Sequence, residues 1–371
     1  MPRNIFSGGK EPEIFKDERF LYPEFVPERL PHREPQIEEM VLAFKPVLRG
    51  GKPHNLFVYG TSGTGKTVSV RFVLRELEEY SPRAKGRYIN CFEFNSRHSI
   101  LTEISNFLGA ALPRRGIATD EAYTELLHSL KRIDFIPVIV LDEIDQLLKG
   151  NEISSVLYDL LRVVEFQKSH LGLCLISNDA ELLAKLDSRV KSSLMQQSIE
   201  FQQYTPQQLK SILGERAKEA FFSGALDSEV INVAAAHAAK HGGDARIAIE
   251  SLLIAGRNAE KECAKSVEVE HLRKAFDSIH SRSIQKSAPF LGEQEKAILK
   301  MLCEKGEIYS GKLFEAVTER GEKLTQRSFR KKLNRLSELK LVKLKEKSKG
   351  IRGRTRIASL AVGRKAVQEL L

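Results

Sequence analysis

Four short runs of consecutive apolar residues punctuate the first half of the chain: Asn55–Tyr59, Arg87–Glu93, Ile136–Leu141 and Leu171–Ser177. Stretches of helical character separate them. Strands that are apolar at successive positions, instead of at every second one, belong to parallel sheets covered by helices on both faces. Strand character stops after Gln197–Phe201. Ahead of the first run, the spacing predicts a helix over Gln36–Leu48, closed by Gly50 and Gly51. Residues 1–36 carry Pro12, Pro23, Pro27, Pro31 and Pro35 and read as an extended arm. Residues 205–280 read as three or four helices. Thr205 and Pro206 open the first, Gly224 ends it, and Gly242-Gly243 separates the next two.

Beyond Ala288-Pro289 and Gly292 the pattern changes again. A helix over Gly292–Glu304 gathers Ala297, Ile298, Met301 and Leu302 on one face, and Ser310–Glu319 is a second. A third, Thr325–Leu339, sets Phe329, Leu333 and Leu336 on one side and Arg327, Arg330, Lys331, Asn334 and Arg335 on the other. Strands at Leu339–Leu344 and Ile357–Leu360 flank a tip, Lys347–Arg356, that contains Arg352-Gly353-Arg354. Three helices followed by a basic hairpin describe a winged helix-turn-helix. Its third helix, beginning at Thr325-Gln326, would enter a major groove. Arg352, Gly353, Arg354 and Arg356 would reach a minor groove or phosphates. The expected division is therefore 1–202, 203–284 and 285–371.

Charge sharpens that division. The 371 residues carry a net +10, yet residues 281–371 hold 23 Lys and Arg against 10 Glu and no Asp, a net of +13, leaving −3 for the rest. A solvated helix face mixes signs, whereas residues 323–356 set 14 basic side chains against Glu338 and Glu346. That imbalance points to a polyanion, and scarce aromatics there argue against single-strand stacking. A winged helix used for protein contact is the competing reading. No apolar run approaches the length of a membrane span, and Met1-Pro2-Arg3-Asn4 lacks a signal-peptide core, so a cytosolic, nucleoid-associated protein is expected. Cys91, Cys174, Cys263 and Cys303 lie far apart, which suits reduced thiols and neither a zinc site nor a disulfide framework.

The nucleotide chemistry starts at Gly60-Thr61-Ser62-Gly63-Thr64-Gly65-Lys66-Thr67-Val68, placed between a strand and a helix. Gly60, Gly63 and Gly65 let backbone N–H groups, those of Ser62, Thr64 and Val68 among them, close around phosphates. Lys66 reaches the β- and γ-phosphates of ATP or ADP, and Thr67 ligates Mg²⁺. The run ending in Asp142-Glu143 supplies a carboxylate to hold Mg²⁺, Asp142, and one to polarise the attacking water, Glu143. By themselves these two carboxylates equally suit an acidic helix start. Asn178, ending a strand beside the loop, is placed to orient that water.

In this order the motifs resemble the AAA+ ATPases. More closely, they resemble the archaeal initiators that combine features of the origin recognition complex large subunit and the cell-division-cycle helicase loader. The residues that carry the likeness are Leu30–Glu34, Gly63–Thr67, Leu141–Asp145, Ser177–Asp179, Arg189–Leu194 and Gly243–Arg246. The resemblance implies an α/β AAA+ P-loop base with a parallel sheet, an all-helical lid and a C-terminal winged helix-turn-helix. Asn178 would be a first sensor and Arg246, opening a lid helix, a second. Tyr204 and Arg216 would line the nucleotide pocket, and Pro27–Arg33 would border the adenine. Arg189 stands where an arginine finger for a neighbouring subunit belongs, although a surface arginine on a basic turn looks the same. An insertion at Leu112–Gly116 would bring Arg114 and Arg115 to the phosphate backbone, or leave them in a solvated loop. The function implied is ATP-dependent, sequence-specific binding of origin duplex DNA, further initiator copies on that DNA, and recruitment of the replicative helicase. A transcription regulator or transposition helper with a winged helix is the alternative. A clamp-loader subunit fits less well, because the C-terminus lacks a helical collar.

Overall fold

The computed structural model describes residues 14–167, 170–287, 291–321, 324–339, 341–347 and 355–361, with Arg364 and Val367. The chain forms two compact units, Met1–Leu253 and Ile254–Leu371.

In the first unit five strands form one parallel sheet: β1 (Leu56–Tyr59), β2 (Ala84–Asn90), β3 (Ile136–Asp142), β4 (Gly172–Ser177) and β5 (Gln197–Glu200), ordered β2-β3-β4-β1-β5. The alternation expected of a sheet sorts its apolar residues into two cores. Leu56, Val58, Val138, Val140, Cys174 and Ile176 pack with helices Glu34–Phe44 and Lys66–Tyr80. Phe57, Ile139, Leu141, Leu173 and Leu175 pack on the opposite face with Arg97–Phe107, Thr119–Arg132 and Ile153–Gln167. The central strands β1, β3 and β4 are buried on both faces and lack a polar alternate, whereas the edge strands β2 and β5 expose Lys85, Arg87, Ser198 and Glu200.

Several boundaries differ from expectation for local reasons. β1 begins at Leu56 because the Asn55 side chain leaves the ladder, donating to the Leu194 carbonyl (2.7 Å) and accepting from Leu173 N–H (3.1 Å). β2 runs three residues earlier than its apolar stretch, because the Asn90 side chain accepts from Phe92 N–H and turns the chain out of the sheet. The first helix starts at Glu34, with Pro35 tolerated in its first turn, and tightens into a 3₁₀ turn, Lys45–Arg49, where Pro46 removes a backbone donor. The arm is not wholly extended: Asp17 caps a 3₁₀ turn at Glu18–Leu21.

Helices Pro206–Ala220 and Ser228–Lys240 follow β5, and Ala245–Lys261 carries the chain from the first unit into the second. The first of these stops four residues before Gly224. There Phe221 bridges to Phe15, and Phe222 N–H donates to the Ile14 carbonyl, so the arm is bound to the helix end.

In the second unit Val269–Ser287 precedes helices Glu293–Lys305, Ser310–Glu319 and Gln326–Glu338. Strands β6 (Ile308–Tyr309), β7 (Val342–Lys347) and β8 (Thr355–Leu360) form an antiparallel sheet ordered β6-β8-β7. The expected hairpin is present, begins at Val342 instead of Leu339, and gains β6 as a third strand. Ile298, Leu302, Leu313, Phe329, Leu333, Leu336, Val342 and Ala358 form the core. Leu299 takes the buried place expected of Ala297. Three cysteines are buried and Cys263 is exposed. Among the described residues no helix is long and apolar enough to cross a membrane.

Candidate nucleotide site and basic face

The phosphate loop connects β1 to helix Lys66–Tyr80 and is gripped from three sides. Gly60 and Gly63 both have positive φ, and neither tolerates a side chain. A Cβ on Gly60 would overlap the carbonyl oxygen of Phe201, and one on Gly63 would overlap the Asp244 carboxylate. Lys66 is buried, and its ammonium donates to the carbonyls of Gly60 and Thr61 (2.8 Å each) and to Asn178 Oδ1 (2.9 Å). Burial pulls its pKa down to about 8, against the opposing pull of Asp142.

At the carboxyl end of β3, Asp142 Oδ2 accepts from the Thr67 hydroxyl (2.6 Å) and the Tyr88 hydroxyl (2.8 Å), and its Oδ1 accepts from Glu143 N–H (2.8 Å). A hydroxyl and a carboxylate converging at this distance are the hard oxygen donors that Mg²⁺ requires, so the pair fits that ion. Glu143 takes a left-handed backbone, φ 53°. Such strain in a non-glycine residue persists only where neighbours impose it. Burial, then the charges of Asp142 and Asp145, raise the Glu143 pKa.

Asn178 is exposed at the end of β4, and its position is set by Asp145. The Asp145 carboxylate accepts from the Ser177 hydroxyl (2.9 Å) and from Asn178 N–H (3.3 Å). From the helical segment, Ala245 N–H donates to the Gly63 carbonyl (3.1 Å). Arg246 extends from the same turn to the Ser62 hydroxyl, while the buried Asp244 carboxylate accepts from Arg246 N–H (2.9 Å), Nε (3.3 Å) and Nη2 (3.2 Å). The structure therefore brings Lys66, Thr67, Asp142, Glu143, Asn178 and Arg246 around one loop.

Tyr204 is buried with its hydroxyl 2.6 Å from where a Cβ of Gly65 would stand. The Arg33 guanidinium lies over its ring, 3.9 Å from the centroid, and donates to the carbonyls of Thr64 (2.9 Å), Gln202 (2.7 Å) and His32 (3.1 Å). Arg33 thus ties the arm, the loop and the segment after β5 together. Burial lowers its pKa. Arg216 instead serves the arm. It donates to the Phe20 (3.0 Å) and Phe25 (3.4 Å) carbonyls and lies over the Phe25 ring, and burial brings its pKa down to about 10. Arg189 is exposed on helix Ser188–Leu194. It lines a cavity of about 300 Å³ with Tyr158, Leu161, Arg162, Val190 and Ser193, none of them a phosphate-loop residue. Arg114 and Arg115 are exposed between helices Arg97–Phe107 and Thr119–Arg132.

Tyr88 is the site residue that lies outside every motif. Arg33, Asp145 and Asp244 lie inside motif stretches, but their spacing does not show that Arg33 reaches the Thr64 carbonyl, that Asp145 reaches Ser177, or that Asp244 lies against Gly63.

In the second unit Thr325 caps helix Gln326–Glu338 through its hydroxyl, which accepts from Ser328 N–H (3.2 Å). Gln326, Arg327, Arg330 and Lys331 are exposed. Arg335 differs from them, because it donates to the fully buried Glu295 carboxylate at 3.2 Å. Arg356 donates to Asn334 Oδ1 (3.0 Å) and so joins β8 to that helix. Arg352, Gly353 and Arg354 lie outside the described residues.

Comparison with known proteins agrees with this arrangement. Residues 50–186 match an AAA domain, and residues 210–277 match a Cdc6 AAA+ ATPase-type lid domain. The ORC1-type DNA replication protein of Thermococcus kodakarensis is 37% identical over 369 residues, covering 94% of this chain and 89% of that protein. ORC1-type DNA replication protein 1 of Archaeoglobus fulgidus is 37% identical over 374 residues, covering 96% and 90%. Among solved structures, the Aeropyrum pernix ORC1 protein in complex with DNA superposes with a TM-score of 0.78 at 34% identity, covering 97% of both chains. The Aeropyrum pernix ORC2 protein in ADPNP–ADP complexes shares the fold, with a TM-score of 0.69 at 21% identity.

Proposed function

This chain belongs to the family of ORC1-type DNA replication proteins, and from that premise we propose that it is an ATP-switched initiator of DNA replication. It binds origin duplex DNA sequence-specifically through residues 285–371, and nucleotide held between the base (1–202) and the lid (203–284) regulates how it does so. As a member of the AAA+ ATPases it hydrolyses ATP, and we propose that it does so slowly, with Mg²⁺, as a switch.

The observation that carries the reading is the docking of Asp244, Ala245 and Arg246 onto the phosphate loop, at Gly63 and Ser62, opposite Asn178. A site assembled from both sides closes or opens with the lid. When bound, ATP and Mg²⁺ supply the γ-phosphoryl bond to be broken and the charge that polarises it. Lys66 would hold the phosphates, and Thr67 and Asp142 would hold the metal. Glu143 accepts a proton from the water that Asn178 orients, and Arg246 reports the γ-position to the lid. Arg189, exposed on helix Ser188–Leu194, acts as a finger for a neighbouring copy. The exposed Arg327, Arg330 and Lys331 enter the major groove, the tip residues Arg352, Gly353, Arg354 and Arg356 contact a minor groove or phosphates, and Arg114 and Arg115 add a second contact to the backbone. The replicative helicase is the partner that this assembly recruits.

Lys66→Ala is expected to abolish nucleotide binding, read by a fluorescent ATP analogue, while duplex affinity stays within a few-fold of the parent. Equal loss of both would count against separate modules. Genome-wide mapping of bound sites is expected to return a few inverted elements near origins, and scattered promoters would favour a transcriptional role instead.

A further inference from the structure

Tyr88 belongs to no nucleotide-binding motif, yet its hydroxyl is one of three donors on the Asp142 carboxylate. It stands on β2 opposite Val140, two residues before Asp142 on β3, so Tyr88 and Asp142 share one face of the sheet. That face packs against helix Lys66–Tyr80, which carries Thr67 at its start and Arg71 one turn further on. The Arg71 guanidinium covers the Tyr88 ring at 4.0 Å from its centroid. The ring is therefore fixed between strand and helix, with its proton directed at Asp142 Oδ2, the oxygen that also receives Thr67.

We propose that Tyr88, held by Arg71, is a positioning residue for the metal site: its hydroxyl sets the rotamer in which Asp142 meets Mg²⁺ beside Thr67. The inference rests on the reading of Asp142 and Thr67 as the Mg²⁺ pair. A donor behind a ligating carboxylate fixes its direction, and removing such a partner typically costs about 10- to 100-fold in metal affinity.

The test uses full-length protein and a fluorescent ATP analogue titrated with Mg²⁺, with Mn²⁺ electron paramagnetic resonance as a direct count of bound metal. Tyr88→Phe keeps the ring under Arg71 and removes only the hydroxyl. It is expected to raise the half-saturating Mg²⁺ concentration by about 10-fold or more. Nucleotide affinity in EDTA should stay at its parental value, and the melting temperature should fall by no more than a few degrees, since Asp142 keeps two of its three donors. Arg71→Ala, which frees the ring without touching the hydroxyl, should shift the titration in the same direction by less, and it carries the test should Tyr88→Phe not fold. A parental Mg²⁺ curve for the variant tested overturns the proposal, as does an equal loss of affinity in EDTA. Asp142→Asn separates the two levels. If it shifts the curve while Tyr88→Phe does not, only the role of Tyr88 fails. If Asp142→Asn also behaves as the parent, the metal assignment fails with it.

Discussion

At Lys66 the protein keeps an ammonium in a buried loop, held by two carbonyls and Asn178. Burial depresses its pKa to about 8, so it is mostly charged a unit below that value, half charged at it, and loses its charge as the pH rises further. Phosphate binds the charged form. Nucleotide affinity is therefore expected to change little up to about pH 7, to bend near pH 8 and to fall above it, approaching tenfold per unit. Fluorescence titration from pH 6.5 to about 9.5 checks this, and a flat profile throughout would contradict it. Lys66, Thr67 and Asp142 were legible because each sits in a contiguous motif whose local backbone creates the chemistry. Tyr88 was not, and neither were the long-range contacts of Arg33 and Asp145, although both lie in motif stretches, because those contacts run to partners distant in sequence. Arg33 lies 31 residues from Thr64 and Tyr88 54 from Asp142, and no local spacing reports such pairs.

Helix Gln326–Glu338 illustrates how an element mixes two roles. Its pattern of three buried hydrophobic residues and an opposing basic row was readable from the sequence, and the structure keeps it: Phe329, Leu333 and Leu336 are buried while Arg327, Arg330 and Lys331 face solvent. Arg335 belonged to the basic row by spacing alone, but its guanidinium answers a buried Glu295. The two kinds of arginine should separate experimentally. Arg330→Ala is expected to leave thermal stability unchanged and to reduce the log–log salt dependence of duplex binding by about 0.9 if one phosphate contact is lost. Arg335→Ala leaves a buried carboxylate short of a donor and should cost roughly 1–3 kcal/mol by denaturant unfolding. A parental unfolding curve for Arg335→Ala would sink the distinction. Element ends were less legible than element types, because side chains decide them: Asn55 precedes β1 and Asn90 closes β2 through side-chain hydrogen bonds, and Phe221 and Phe222 pair with the arm instead of continuing a helix.

Over the whole molecule, charge and nucleotide chemistry occupy different stretches of the chain, with +13 after residue 280 and −3 before it. A fragment ending at Ser283 is expected to keep nucleotide affinity near the parental value and to lose specific duplex binding in a footprint. Protection of the same site by the fragment would refute the assignment of DNA binding to the C-terminal module. The sequence by itself determined the parallel sheet, the phosphate loop, the two carboxylates behind it and the basic third helix. Apolar periodicity and contiguous motifs are local, and so is the chemistry they encode. Only the tertiary structure decided that Asp244 and Arg246 meet the loop at Gly63 and Ser62, that Arg216 holds the arm, that the exposed Arg335 pairs with the buried Glu295, and that Tyr88 stands behind Asp142. Those pairings join residues as many as 196 positions apart, and only the packing of buried surfaces sets which side chains meet across such a separation.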